Sequence, residues 1–401
     1  MKDMENFTRL ANKAQPLLLQ TWLQDFEIPA PPSDEAEIKP WRKSLQETIH
    51  GLDNIRRANI EGMAERIVVL ADRAGQEAIT SLREIIPDIE ELDAQPDAFN
   101  RSLWLFVKAP QRFAESEDSR FAIEYRMSPR LYSGFEGPAE QPIQLDQVRL
   151  DVLKEKVRDT LGIQGSILIE HFVRSAFSDN DDDVSLHHIT VAYNAEQNSY
   201  EHIVDNQIET TFYVPAEKVH LTYEPQSGTI EIYSSSVHSA RRDLARVFAD
   251  TVLQREIEGE PIQLREFDLE SLASPREFPI GDEPVVSVKL QMIKFRQDGY
   301  RSDDKGKKRP VDNTLAIQAD RHDSRTIFEV ARDEFQLSDF SSLVVKQVKI
   351  AIHLAKQPGQ RARSIPVTIT APNNCSNSGL TENDRQLRDR LLESWGILVK
   401  F

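Results

Sequence analysis

The residues best suited by type to do chemistry are Asp179, Asp181 and Asp183 in SDNDDDVSLHH, followed at once by His187 and His188. Alternating carboxylates reproduce the opening of a calcium loop, where oxygens at the first, third and fifth positions face a hard cation. The imitation stops there. Val184 stands where the sharp turn wants glycine, and Thr190 where a bidentate glutamate belongs. Six of the nine histidines (His171, His187, His188, His202, His220, His238) lie in the same region, so nitrogen ligands for a divalent metal are at hand. A metal-dependent hydrolase or nuclease is one reading of this cluster. The plainer reading makes the acidic run a solvated loop ahead of a strand. Strand alternation then puts His187 on the face of Ile189 and Val191, with His188 and His220 turned away from the apolar residues of their strands.

A second set of residues is electrostatic. The segment RQDGYRSDDKGKKRP, residues 296–310, ends in Lys305, Lys307, Lys308 and Arg309 with Tyr300 nearby. The segment KQPGQRARS carries Lys356, Arg361 and Arg363, and Lys346 and Lys349 lie on the strand leading into it. Paired strands with cationic tips can reach phosphates, so nucleic-acid binding is the second reading. The charge distribution supports a separate basic part: residues 1–279 hold 29 basic and 50 acidic side chains, and residues 280–401 hold 20 and 16. Against it, Asp303 and Asp304 dilute the first loop, and the formal charge of the whole chain is -17. The single Cys375, in PNNCSNSG, acts as a nucleophile only with a basic neighbour, and His353 is the nearest histidine in sequence.

Other chemistries lack their local signatures. None of the 15 glycines opens a phosphate-cradling loop of either common type, and neither a GxSxG elbow nor an HExxH helix is present. No cofactor is expected apart from the divalent metal of the weaker reading. No stretch approaches the length of apolar residues that spans a membrane, and the start MKDMENFTRL lacks the pattern of a secretory signal. One cysteine excludes an internal disulfide. These features lead to the expectation of a cytoplasmic protein.

The elements that must position these residues follow from periodicity. Residues 5–26 and 41–78 carry apolar side chains at helical spacing, separated by the PAPPSD run, and residues 102–125 add aromatic core positions interrupted by Pro110. Leu150, Leu153, Val157 and Leu161 share one face of a helix from Asp146, with Gly162 as its cap. From His187 the period becomes two. Strands around residues 189–193, 208–214, 219–223 and 230–232 predict an antiparallel meander, covered by a helix carrying Ala240, Leu244, Val247, Phe248 and Thr251. Further strands near 286–292, 315–319, 348–354 and 367–370 alternate with helices over 324–335 and from Thr381 to Trp395.

The expected fold is α+β: an acidic helical domain over 1–165, a β-meander plus helix over 166–256, an acidic linker over 257–284 and a mildly basic α+β domain over 285–401. The leading functional expectation is a non-catalytic intracellular binding or scaffold subunit. It would join a protein partner, recognise it through the C-terminal basic hairpins, and be open to self-association.

Overall fold

Aspartates set where many of the N-terminal helices begin. The helices are α1 (Glu5–Lys13), α2 (Pro16–Trp22), α3 (Glu35–His50), α4 (Asn54–Leu70), α5 (Arg73–Ser81), α6 (Ile89–Asp93), α7 (Ala98–Lys108), α8 (Pro110–Tyr125) and α9 (Gln147–Leu161). The side chains of Asp34, Asp53, Asp72, Asp97 and Asp146 each accept a first-turn backbone N–H, of α3, α4, α5, α7 and α9 respectively. Each such cap contributes about 1 kcal/mol. At the far end of α9, Gly162 takes the left-handed conformation (φ 66°) that glycine adopts without strain.

The computed structural model describes residues 4–399 other than 25, 27, 29, 33, 144, 177–183, 205, 236, 298, 303–305, 311–312, 321–322, 341–342 and 357–361. The α+β chain divides into two units. The first takes Met1–Glu124, Gly137–Ile232 and Asp243–Ile257; the second takes Tyr125–Glu136, Tyr233–Arg242 and Glu258–Phe401. Among the described residues no helix is long and apolar enough to cross a membrane.

In the first unit the helices pack around Phe7, Leu10, Leu45, Ile60, Leu103, Trp104 and Phe113. After β1 (Tyr132–Phe135), assigned to the second unit, come β2 (Ile167–Ala176), β3 (Val184–Asn194), β4 (Asn198–Val204), β5 (Gln207–Tyr213), β6 (Ala216–Glu224) and β7 (Thr229–Tyr233). The sheet of this unit runs in the order β7-β6-β3-β2, with β3 antiparallel to both β2 and β6. It departs from the expected meander in two ways. The strand read at 208–214 leaves the sheet and, among the described residues, pairs only with β4, and β2, which has no clean alternation, supplies an edge. The periodicity of β2 is blurred because both of its faces are covered in part, with Phe172 reaching the helical core. The expected covering helix is present as α10 (Arg241–Phe248), continued by a π-helical turn over Ala249–Leu253. Phe248 lies 6.0 Å from the ring of Tyr223 on β6.

The second unit contains β8 (Glu266–Phe267), β9 (Val285–Gln297), β10 (Tyr300–Ser302), β11 (Lys308–Pro310), β12 (Thr314–Gln318), α11 (Ile327–Phe335), β13 (Leu343–Leu354), β14 (Ser364–Thr370), β15 (Asn374–Cys375), α12 (Glu382–Ser394) and β16 (Leu398–Val399). Its main sheet has the order β12-β9-β13-β14-β15, and Phe295, Val348, Ile350, Ile352, Val367 and Ile369 meet Ile327, Val330, Leu387 and Leu391 of the two helices. Of the segment expected as a linker over 257–284, residues 258–284 belong to this unit. Strand β8 pairs with β16, Phe267, Leu269 and Leu272 are buried, and the indole N–H of Trp395 donates to the Pro279 carbonyl at 2.8 Å. Its acidic residues masked the apolar anchors spaced among them. Helix α11 begins with a capping box at Thr326 and Glu329. Phe335 is 57% exposed, because the helix stops there and Gln336 turns left-handed.

Candidate functional site

Alternation along β3 separates the two histidines of the sequence cluster. His187 lies on the face of Ile189 and Val191, where its Nδ1 is 3.1 Å from Nε2 of His171 and the two rings stack with their centroids 5.4 Å apart. His188 points to the opposite face, its Nε2 3.3 Å from Nδ1 of His220. The metal set containing both His187 and His188 is therefore corrected: one ion cannot take nitrogen from both sides of a strand. Asp179, Asp181 and Asp183 lie outside the described residues. Among the described residues no group of three or more His, Cys, Asp and Glu side chains is arranged to hold a metal ion.

The face carrying His188 is a buried polar layer. Thr190 donates its hydroxyl to Asp118 Oδ2 at 2.9 Å, and Lys218 Nζ donates to Asp118 Oδ1 at 2.7 Å. His220 Nδ1 sits 3.3 Å from Thr190 Oγ1, with Phe121 against its ring, and Phe172 stacks on His188 at 4.6 Å. The Nδ1 of His188 has no hydrogen-bond partner among the described residues. That nitrogen is best left bare, which places the His188 proton on Nε2 and makes His220 Nδ1 its acceptor. Burial lowers His220 to about 4 against the opposing pull of Asp118, and holds His188 well below the usual range, helped by His220. His171 is lowered to about 4 by burial and then by His187. All these rings are neutral at neutral pH. With His188, Thr190 and His220 at most 3% exposed, the layer is closed to a substrate.

Sequence reading did not find Asp118, Thr190 or Lys218. The signal was a helix with a polar buried stripe, since Glu115, Ser116, Asp118 and Ser119 of α8 are all buried, facing central strands with polar residues at alternate positions.

The two basic loops do not share a surface. Strand β13 runs antiparallel to β9 along its length, from Leu343 opposite Gln297 to Leu354 opposite Val285. The first loop therefore leaves one end of the sheet and the second leaves the other, about 40 Å away at 3.3 Å per residue over β9. The first loop forms the β10–β11 ribbon, with Arg301 directly opposite Arg309 and Ser302 opposite Lys308. Lys307, Lys308 and Arg309 are exposed, and Lys305 lies outside the described residues. In the second loop Lys356 is exposed and Arg361 lies outside the described residues. Arg363 is engaged by a carboxylate: it makes two bonds, of 2.8 and 2.7 Å, to the buried Asp384 in the first turn of α12. Lys349 is exposed on β13, opposite Met292 and Thr368. Much other positive charge of this unit is also met in place, through the pairs Arg265–Asp389, Arg385–Glu382, Arg388–Asp389 and Arg390–Glu283.

Cys375 and His353 stand on β15 and β13, with β14 between them. Along β14 their partners Ile369 and Ser364 are five residues apart, about 16 Å, so the imidazole cannot take a proton from the thiol. Burial raises the Cys375 thiol further above neutrality.

Several exposed apolar side chains gather on the β4–β5 ribbon of the first unit. Its register, Ile203 opposite Ile208 and Ser199 opposite Phe212, puts Ile203, Ile208 and Phe212 on one face, where they are 74, 70 and 65% exposed. Tyr200 and Tyr213 meet on the other face with ring centroids 5.9 Å apart. No protein-family model matches this chain, and the curated proteins include no match to it.

Proposed function

We propose that this chain is a non-catalytic binding subunit that engages a protein partner through the β4–β5 ribbon. One observation carries the reading: three large apolar side chains stand on a single face of a ribbon whose strands, among the described residues, pair only with each other. An isolated two-stranded hairpin is marginal in water, and burying such a face supplies about 25 cal/mol for each Å² removed from solvent. The ribbon also carries Glu201 and Glu209. A partner with an apolar cleft rimmed by basic groups fits it. The test is co-purification of the intact chain from its native cells beside an Ile208→Asp, Phe212→Asp variant. The variant should fold normally and lose the partner; a partner retained by both proteins would refute the reading.

A second reading rests on the β10–β11 ribbon. Arg301 stands directly opposite Arg309 across it, and both are exposed together with Lys308. Such a ribbon supports contact with nucleic-acid phosphates at one end of the sheet. Binding of a DNA or RNA oligonucleotide should weaken steeply as salt rises, since phosphate contacts release counterions. Binding indifferent to salt, or unaltered by Arg301→Ala, would remove this reading.

A further inference from the structure

Strand β12 ends early. It pairs with β9 only from Arg296 to Met292, followed by the Ala319 N–H to Gln291 carbonyl bond at 3.0 Å, whereas β9 continues back to Val285. The outer edge of β9 over residues 286–290 thus pairs with no strand among the described residues. The chain leaves that edge toward Ser324 and Thr326 at the start of α11, and a cavity of about 410 Å³ opens between them. The cavity takes Ser287 and Lys289 from one face of β9 and Val288 and Leu290 from the other, which marks it as a site at the strand's edge. Phe278 and Phe328 add apolar walls.

The charge of this cavity has one sign. Its lining includes Arg276, Lys289 and Arg325 and, among the described residues, no carboxylate. Arg325 is met from outside the lining by Asp323 and Glu334. The hydrogen bonds of Arg276 and Lys289 go to neutral oxygens, Arg276 to the Ser271 hydroxyl at 2.7 Å and the Trp395 carbonyl at 2.9 Å and Lys289 to the Asp323 carbonyl, while the Asp323 carboxylate also acts on Lys289 through space.

We propose that this slot receives an extended peptide segment of a partner protein, which adds a strand to the edge of β9 and carries apolar residues alternating with acidic ones. Main-chain hydrogen bonds to the unpaired edge supply affinity, and the side-chain pockets supply selectivity. Alternate side chains of an added strand point to opposite faces, so apolar residues enter the Phe278 and Phe328 side, where Arg276 lies 5.7 Å from the Phe278 ring, while acidic ones reach Lys289. This surface is in the second unit, separate from the β4–β5 ribbon, and its test is independent of the ribbon variants.

Random dodecapeptides displayed on phage are panned against the full-length chain, and enriched sequences are resynthesised for fluorescence anisotropy. Enriched peptides should alternate apolar and acidic residues. Affinity should fall at least about tenfold in Lys289→Glu, which reverses the charge, and in Ser287→Trp, which fills the slot. N-methylation of alternate peptide amides should abolish binding in one phase and leave it intact in the other, a signature that only strand addition gives. Circular dichroism and the denaturation midpoint confirm that each variant is folded, with Lys289→Ala replacing Lys289→Glu where the latter is not. The proposal is overturned by an absence of enrichment, by binding unchanged in both folded variants, or by indifference to N-methylation in both phases.

Discussion

The two units bury different kinds of polar pair. In the first, His188 and His220 are kept uncharged and bonded to each other, with Asp118 and Lys218 at the rim. In the second, guanidinium groups are paired with carboxylates: Arg363 with Asp384, Arg385 with Glu382 and Arg388 with Asp389. Both satisfy the demand that a buried polar group keep a hydrogen bond. They differ in what a proton does. A proton arriving at a buried neutral imidazole creates an unwelcome charge, whereas a proton arriving at a paired carboxylate removes a needed one.

The sharpest way to break the comparison is to remove one member of a buried ion pair. Asp384→Ala leaves Arg363 without its bidentate partner and should destabilise the second unit by about 3 kcal/mol, discounted toward 2 because Arg363 is partly exposed. Chemical denaturation measures this, and a loss under about 0.5 kcal/mol would mean that the pair contributes little.

Acid is the next lever. The folded His220 titrates near 4 and an unfolded histidine near 6.5, so the unfolded chain binds more protons between those values. Stability is then full above about pH 6.5 and falls as pH drops to about 4, by on the order of 3 kcal/mol for His220 alone. The second unit should hold through this window, since Arg390 keeps Glu283 below its ordinary value and Arg325 keeps Asp323 at about 2. Hydrogen exchange resolved by segment, at neutral pH and near pH 5, should show β3 and β6 opening before β13 and β14. The reverse order would contradict the contrast.

A smaller effect sharpens the layer itself. Asp118→Ala strands the Thr190 hydroxyl and should cost about 2 kcal/mol, while His220 titrates still lower because the raising influence of Asp118 is gone. Nuclear magnetic resonance titration of the His220 ring reads the second part. The smallest change in stability is expected for Ile208→Asp, under about 0.5 kcal/mol because the side chain is 70% exposed, although association should be lost.

Legibility in the sequence followed how many faces of an element are covered. Helices α9 and α12 could be read to within a residue because each has one apolar stripe, an Asp or Thr cap and a glycine near its end. The opposite orientations of His187 and His188 were readable from alternation alone. Strand β2 was hidden because neither of its faces is plainly polar, and β5 misled because Ile208 and Phe212 alternate like core residues yet stand in solvent. The partnership of Asp118, Thr190 and Lys218 spans about a hundred residues, a distance over which spacing carries no information. The opposite placement of the basic loops needed the register of β9 against β13.

The aspartates that start five helices bear on how this acidic chain meets other molecules. Each carboxylate sits against the positive pole of its own helix, so its field is answered within one turn of backbone. That softening is local, because a helix dipole carries no net charge, and the formal -17 still sets the field that an approaching polyanion meets at a distance.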